Sequence, residues 1–148
     1  KLHVGIVGNP NAEPMEVELL KIERKVRLGA DFMQTQIVFE IERAKAFLKE
    51  MKKYSIPVLL GIFPCKSHRM AEFIIKNVPG ISVPRTYINE LKKAEELPDK
   101  GLRKERLDKI NLDFFGNLIR ELKKTSTAAG IHIMTVGYED IVKRLTQI

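Results

Sequence analysis

Cysteine is almost absent from this sequence, and that scarcity excludes two kinds of structure. Cys65 is the one cysteine among 148 residues. A single cysteine cannot form an intrachain disulfide, and it cannot supply the several thiolates of a cysteine-rich zinc site. Because disulfides persist mainly in oxidising compartments, we predict a reducing, cytoplasmic location.

Long apolar runs and nucleic-acid motifs are missing as well. No stretch reaches the ~18 apolar residues of a membrane-spanning helix, so we predict no membrane partner. The net charge of +7 suits an anion site, or it reflects solvated lysines on helix surfaces. Since the lysines lie among acidic residues without interleaved aromatics, we predict no nucleic-acid partner. His132 has no second ligand at metal-binding spacing, so we predict no metal site.

What the sequence does contain is an alternation of apolar segments and amphipathic helices. Four short apolar segments are typical of parallel strands that are covered on both faces. They lie at 2–8, 32–39, 57–63 and 131–136. Six other segments repeat apolar residues at helical spacing. They lie at 15–28, 41–54, 67–76, 85–96, 107–122 and 138–146. The alternation predicts a right-handed parallel α/β layer. The charged segment 97–104, with Pro98 and Gly101, predicts a surface excursion.

The most informative stretch is Lys25–Glu40, which reads KVRLGADFMQTQIVFE. Gly29 is expected to end the first helix, because a residue without Cβ tolerates the left-handed cap. The strand that follows carries Gln34 and Gln36 on one face. Two amides on one side of a parallel strand would face the rim where α/β barrels do their chemistry.

Together with three later motifs, this stretch resembles the signature of methylenetetrahydrofolate reductases, which are flavin-dependent (β/α)8 barrels. The later motifs are GIFP at Gly61–Pro64, NVPGISVP at Asn77–Pro84 and GIHIM at Gly130–Met134. The resemblance covers nearly the whole chain and implies a TIM-barrel fold. A full barrel needs ~250 residues. Residues 1–148 would therefore be the C-terminal half of a single barrel domain, with its last four strand–helix units.

The resemblance also implies partners and a reaction. A half-barrel exposes its sheet edges, so we expect an N-terminal half or another chain to complete the barrel in an oligomeric assembly. The implied reaction reduces 5,10-methylenetetrahydrofolate to 5-methyltetrahydrofolate, with a hydride from reduced FAD, or from reduced FMN. The family's general acid, a glutamate on the first strand, would lie in the missing half. No catalytic residue is therefore assigned, and we expect this segment alone to be inactive.

Five residues match flavin contacts of the family. Asn9 follows the first strand, where an amide can bond a ribityl hydroxyl. Glu18 and Lys21 lie on the polar side of the first helix, although the usual residue at the place of Lys21 is an amide. Arg24 and Lys25 suit a pyrophosphate. From spacing alone, a solvated helix surface is the better explanation of these helix residues, whereas Asn9 fits a simple turn equally well.

Three residues match the part of the family that handles folate. The counterpart of Gln36 stands over the flavin and touches the pterin, whose mixed edge suits an amide that donates and accepts. His68 and Arg69 lie in the loop and helix start that face the substrate. The simpler interpretation of Gln36 is a side chain bonded to neighbouring backbone. The simpler interpretation of Cys65 is an inert, small apolar residue.

The end of the last strand departs from the commonest family pattern. It reads TVGY at Thr135–Tyr138, where the commonest form reads TLNR and supplies an arginine. Gly137–Glu139 instead resembles the branch found in acetogenic bacteria. In that branch the electron donor is expected to be a partner protein subunit rather than free nicotinamide nucleotide.

Two other functions fit the sequence. A non-catalytic barrel subunit, or binding module, could keep the scaffold and dock a partner protein. A generic phosphate-binding barrel enzyme would suit the positive charge, but no glycine-rich phosphate loop follows a strand.

Overall fold

Four parallel strands form one sheet in the order in which they occur along the chain. The computed structural model describes residues 2–125 and 127–148. The strands are β1 (Gly5–Gly8), β2 (Phe32–Ile37), β3 (Val58–Ile62) and β4 (Gly130–Ile133). Each strand pairs in parallel with the next one, in the order β1-β2-β3-β4. A doubly wound sheet would reverse its order at a switch point, whereas consecutive order is what half of a (β/α)8 barrel requires.

Within the part of the chain that the structure describes, six helices connect and follow these strands. They are α1 (Met15–Arg27), α2 (Ile41–Met51), α3 (His68–Asn77), α4 (Arg85–Glu95), α5 (Lys100–Thr125) and α6 (Asp140–Leu145). Local chemistry defines several of their ends. Ser67 caps α3, because its hydroxyl oxygen accepts a bond from the backbone N–H of Met70 at 3.0 Å. Gly29 has φ 98° just after α1, which confirms the expected left-handed cap.

The segment 97–104 lies at the surface, as expected, but it is not an irregular linker. The helix α5 already begins at Lys100 and includes Gly101, so the connection from α4 is only four residues long. The carboxylate of Asp99 accepts a bond from the backbone N–H of Leu102 at 2.8 Å, as a helix N-cap does. Pro98 and Asp99 therefore mark a helix start rather than a loop.

The helices cover one face of the sheet, here called the outer face. Along β2, Met33, Thr35 and Ile37 are buried on the outer face, whereas Gln34 and Gln36 are half-buried on the opposite, inner face. The largest side chains buried with the outer face are Phe47, Phe115, Leu48, Leu60 and Ile62. The inner face is more open, since Val7 of β1 remains 60% exposed. This asymmetry is expected of a barrel interior that is not closed.

Gly61 allows β2 and β3 to approach closely near their ends. A Cβ atom at this position would lie 2.6 Å from the backbone oxygen of Thr35, a distance that a real side chain does not tolerate. The hydroxyl oxygen of Thr35 accepts a bond from the N–H of Gly61 at 2.9 Å. The pairing register shifts between Gln34 and Ile37. Such irregularities redirect side chains at the ends of strands, and this one precedes the end of β2.

Candidate functional site

Two clefts open near the carboxyl ends of the strands, where the loops of a parallel α/β sheet gather their side chains. The first, here called the apolar cleft, has a volume of about 650 Å³. Its lining includes Gln36, Phe63, Lys66, Arg69, Met70 and Val136. The second, here called the polar cleft, has a volume of about 420 Å³. Its lining includes Asn9, Asn11, Glu13, Glu18, Lys21 and Arg43.

The apolar cleft brings two of the three predicted folate residues together. Gln36 comes from the end of β2, and Arg69 comes from the first turn of α3. Phe63, Met70 and other apolar side chains form most of the wall. A cleft of this size, with apolar walls and few polar groups, is typical of small-molecule sites. The arrangement suits a ligand that has a flat heteroaromatic ring and a separate, negatively charged group.

The Gln36 side chain is partly engaged by the backbone. Its Oε1 accepts a bond from the N–H of Ile37 at 3.1 Å. The interpretation of Gln36 as a side chain bonded to neighbouring backbone therefore holds for the carbonyl half of its amide. The bond uses only that half, so Nε2 can still donate to a ligand.

His68 lies apart from these two residues. Its side chain is half-buried, and Nε2 lies 3.6 Å from Oε1 of Glu72, one helical turn along α3. Its backbone N–H donates to Oε1 of Glu95 at 2.7 Å, which ties the start of α3 to the end of α4. His68 does not line the apolar cleft, so its position supports an anchoring role at this helix start.

The polar cleft gathers three of the five predicted flavin residues. Asn9, Glu18 and Lys21 all line it. The backbone N–H of Asn9 donates to Oε1 of Glu18 at 3.0 Å, and Oε2 of Glu18 lies 3.8 Å from Nζ of Lys21. Carboxylate and amide groups in this arrangement suit the hydroxyl groups of a sugar or ribityl chain.

Asn11 connects the regions that form the two clefts. It is buried, and its Nδ2 donates to the backbone oxygen of Ile37 at 2.9 Å. Its backbone N–H donates to Oδ1 of Asn9 at 3.0 Å. The loop after β1 is therefore fastened to the end of β2.

Arg24 and Lys25 lie outside the polar cleft. The Nζ of Lys25 donates to the backbone oxygen of Val7 at 3.0 Å. The backbone oxygen of Val4 faces β2, because it accepts a bond from the backbone N–H of Asp31. Since polar groups alternate along a strand, the oxygen of Val7 faces the unpaired edge of β1. Lys25 therefore satisfies an edge carbonyl, and Arg24 is exposed on the helix surface.

Sequence reasoning missed a buried hydrogen-bond network behind the apolar cleft. Asn111, in α5, bonds Tyr87 of α4 and the backbone of Cys65, which follows β3. Asp108, one turn earlier in α5, bonds Tyr138, which follows β4. The signal was present, because Asp108 and Asn111 stand on the apolar stripe that includes Leu107, Ile110 and Phe114.

Burial controls the acidity of this network. It raises the pKa of the Cys65 thiol from the ordinary 9.0 to about 12, although the hydrogen bond with Tyr87 acts in the opposite direction. Burial likewise raises the pKa of Tyr87 well above its ordinary value. A thiol that stays protonated is a poor nucleophile, so the structure favours the interpretation of Cys65 as an inert residue.

Residues 2–125 and 127–148 contain neither a metal-binding cluster nor a membrane-spanning helix. Within these ranges, no three His, Cys, Asp or Glu side chains come together as a metal site would require. No helix in the same ranges has the length and apolar character needed to cross a membrane.

Comparison with known proteins identifies a family. The model of the family described as methylenetetrahydrofolate reductase matches residues 5–147. A probable methylenetetrahydrofolate reductase (NADPH) of Caenorhabditis elegans is 23% identical over 141 residues, which are 94% of this chain and 20% of that protein. Methylenetetrahydrofolate reductase 1 of Schizosaccharomyces pombe is 23% identical over 154 residues, which are 97% of this chain and 24% of that protein. The chain thus spans a quarter or less of the length of these relatives.

A solved structure shows the same fold. It is an uncharacterized protein from Clostridium thermocellum that binds two copies of 5-methyl-5,6,7,8-tetrahydrofolic acid. The two folds superpose with a TM-score of 0.66 at 24% sequence identity. The match covers 99% of this chain and 52% of that one. The expected fold class, part of a (β/α)8 barrel, is confirmed.

Proposed function

The chain belongs to the methylenetetrahydrofolate reductase family, and on that premise we propose that it forms the C-terminal half of a flavin-dependent reductase barrel. The proposed reaction reduces 5,10-methylenetetrahydrofolate to 5-methyltetrahydrofolate. The other half would come from an N-terminal segment or from another chain. It would also contribute the general acid, because the resemblance assigns that role to a glutamate on the first strand of the barrel.

The apolar cleft is the observation that carries this proposal. Gln36 offers an amide at one strand end, and Lys66 and Arg69 offer two cations from the neighbouring loop and helix. A reduced folate has the matching parts, since its pterin ring presents mixed donors and acceptors and its glutamate carries carboxylates. Apolar walls shield the ring from water and strengthen its polar contacts.

The polar cleft is the proposed flavin side of the same site. Asn9 and Glu18 have the donors and acceptors that a ribityl chain needs, so these residues fit the cofactor. When it is bound, the flavin supplies the hydride, and this chain binds and orients the reactants. The resemblance favours FAD over FMN, and Arg24 and Lys25 would suit its pyrophosphate.

Completion of the barrel would change the position of Lys25. In this structure its Nζ donates a hydrogen bond to the backbone oxygen of Val7, at the unpaired edge of β1. A strand added at that edge would donate its own N–H groups there, and Lys25 would then be free to bind a phosphate. We therefore place flavin binding after barrel closure. The electron donor proposed from Gly137–Glu139 is a protein subunit, and the proposed location is cytoplasmic.

The first test is a visible absorption spectrum of the natural assembly that contains this chain, before and after denaturation. A flavin spectrum and saturable binding of 5-methyltetrahydrofolate are expected. If neither ligand binds, the reductase proposal is wrong, and the non-catalytic barrel subunit becomes the better explanation. Turnover by the 148-residue chain alone would contradict the half-barrel proposal.

A further inference from the structure

Two neighbouring loops contribute to the wall of the apolar cleft. The β3 loop, defined as residues 63–67, contributes Phe63 and Lys66. The β4 loop, defined as residues 134–139, contributes Met134 and Val136. The separation of these loops therefore helps to determine the shape of the cleft.

A closed ring of hydrogen bonds holds the β3 loop to the helices behind it. The backbone N–H of Cys65 donates to Oη of Tyr87 at 3.0 Å. The Tyr87 hydroxyl donates to Oδ1 of Asn111 at 2.6 Å. The Nδ2 of Asn111 donates to the backbone oxygen of Cys65 at 3.0 Å, which closes the ring. All three residues are buried, so water does not compete for these bonds.

A second anchor holds the β4 loop to the same helix. The hydroxyl of Tyr138 donates to Oδ1 of Asp108 at 2.6 Å. The other oxygen of Asp108 accepts bonds from Arg144 at 2.9 Å and from Lys104 at 3.0 Å. Asp108 and Asn111 are three residues apart in α5, so they share one face of that helix.

The two loops also meet directly. Gly137 has φ 62°, and a Cβ atom on it would lie 2.6 Å from Nζ of Lys66. Because Gly137 has no side chain, the β4 loop can lie against the ammonium of Lys66 in the β3 loop. A displacement of either loop would change the distance between Lys66 and Val136, which both line the cleft.

We propose that Asp108 and Asn111, with Tyr138 and Tyr87, are positioning residues that hold the two loops at the separation required by a ligand in the apolar cleft. For the identity of that ligand, a reduced folate, this rests on the proposed function. None of the four residues needs to touch the ligand. Asn111 and Asp108, on one face of α5, hold the β3 loop and the β4 loop respectively. Each acts through a tyrosine hydroxyl.

Both tyrosines can serve as donors over a wide pH range. Burial, followed by the hydrogen bond to Asp108, raises the pKa of Tyr138 well above its ordinary value. Burial acts in the same direction on the pKa of Tyr87. The two hydroxyl groups therefore stay protonated at neutral pH.

The test compares Asp108→Ala with Asp108→Asn by hydrogen exchange of the ligand-free chain. Both variants remove the charge that binds Arg144 and Lys104, but only Asn keeps an oxygen that can accept from Tyr138. We expect Asp108→Ala to raise the exchange rate of the β4-loop amides about tenfold or more, and Asp108→Asn to raise it about threefold or less. Equal exchange in the two variants would overturn the proposal.

A second pair covers the case in which Asp108→Ala does not fold. Tyr138→Phe removes the anchoring hydroxyl, and Tyr54→Phe is its control. The Tyr54 hydroxyl donates to the backbone oxygen of Leu19 at 3.4 Å, and Tyr54 does not line the cleft. Faster exchange of the β4 loop is expected in Tyr138→Phe alone. The proposal is wrong if both variants behave like the wild type.

Binding of 5-methyltetrahydrofolate to the assembly separates this proposal from the proposed function. We expect about tenfold weaker binding by Tyr138→Phe, with Tyr54→Phe unchanged. If the loop loosens but affinity stays the same, the anchors do not set the cleft. If the wild type binds no folate, the proposed function fails, whereas the exchange rates still decide whether the anchors position the loops.

Discussion

The apolar cleft and the polar cleft lie at the same end of the sheet, but their side chains are held in different ways. Behind the apolar cleft, Tyr87 and Asn111 are buried and bond to each other and to the backbone of Cys65. In the polar cleft, Glu18 and Lys21 belong to a helix surface, and Lys21 is largely exposed. The first arrangement is rigid within this chain, whereas the second is open to water.

The difference follows from where each cleft lies in the sheet. The apolar cleft lies over the middle and the β4 side, where α4 and α5 pack behind the loops. The polar cleft lies at β1, and no strand among the residues that the structure describes pairs with its second edge. There, Glu18 and Lys25 bond to backbone groups at or beside that edge. This chain therefore preorganises the apolar cleft, whereas the proposed partner half would complete the polar cleft at β1.

The largest expected effect is a loss of stability in Asn111→Ala. The side chain is 0% exposed and bonds to Tyr87, to Cys65 and to the backbone oxygen of Leu107. Since its removal leaves buried partners unsatisfied, the free energy of unfolding should fall by about 2–4 kcal/mol. Urea denaturation measures this change.

The matched variant in the polar cleft is Asn9→Ala. Its Oδ1 accepts a bond from the N–H of Asn11 in a half-buried loop, where water can replace part of the interaction. We expect a loss of about 1 kcal/mol or less. Equal losses in the two variants would remove the distinction between a rigid cleft and an open one.

The second effect concerns ligand affinity. Gln36→Ala should weaken binding of 5-methyltetrahydrofolate to the assembly about tenfold, the equivalent of one or two hydrogen bonds, while bound flavin is retained. Gln34→Ala is the control, because Gln34 lies on the same face two residues earlier and does not line the cleft. Calorimetric titration of both variants gives the answer. Unchanged affinity in Gln36→Ala would show that the ligand contacts other residues.

The third effect is a loss of stability at alkaline pH that originates behind the apolar cleft. The pKa of Cys65 is about 12 in the folded chain and 9.0 ordinarily. Above pH 9 the unfolded thiol therefore loses its proton while the folded thiol keeps it. Stability is fully present below that pH, and it should fall by up to about 1.4 kcal/mol per pH unit until the folded thiol also ionises.

Cys65→Ala isolates this contribution. Its stability should decline less steeply between pH 9 and pH 10, where the thiol, with an ordinary pKa of 9.0, contributes more than Tyr87, whose ordinary pKa is 10.0. Urea denaturation at several pH values compares the two slopes. Identical slopes in the variant and the wild type would mean that the thiol is hydrated, and that the region behind the apolar cleft is not closed to water.

The sequence predicted features that depend on neighbours along the chain. The helix end at Gly29 and the alternation of β2 follow from glycine chemistry and from a period of two, and both are present. The meeting of Gln36 and Arg69 in one cleft follows from the rule that parallel strands end at a common edge. The start of α5 was missed because Pro98 and Gly101 suggested a loop.

The features that escaped prediction depend on distant residues. Asn111 and Cys65 are separated by 46 positions, and no local period indicates which buried polar groups will meet. The bond from Lys25 to Val7 was equally hidden, because it depends on which edge of β1 lacks a neighbour. Spacing alone predicted that Lys25 lies on a helix surface. It did not predict the bond from its Nζ to the backbone oxygen of Val7 at the edge of the sheet.

The smallest expected effect belongs to that bond, and it tests the open side of the comparison. Lys25→Met keeps the aliphatic part of the side chain but removes the ammonium that donates to the Val7 oxygen. Because this oxygen lies at an unpaired edge, water can replace the lost donor. The isolated chain should lose about 0.5 kcal/mol or less of its free energy of unfolding. Lys21→Met, one turn earlier on α1, provides the control for loss of charge in this stability measurement only, because Lys21 is itself a predicted flavin contact. In the complete assembly the same substitution should weaken flavin binding, because an added strand satisfies Val7 and releases Lys25 to the cofactor. A large loss of stability in the isolated chain, or unchanged flavin binding in the assembly, would show that Lys25 serves the edge in both states.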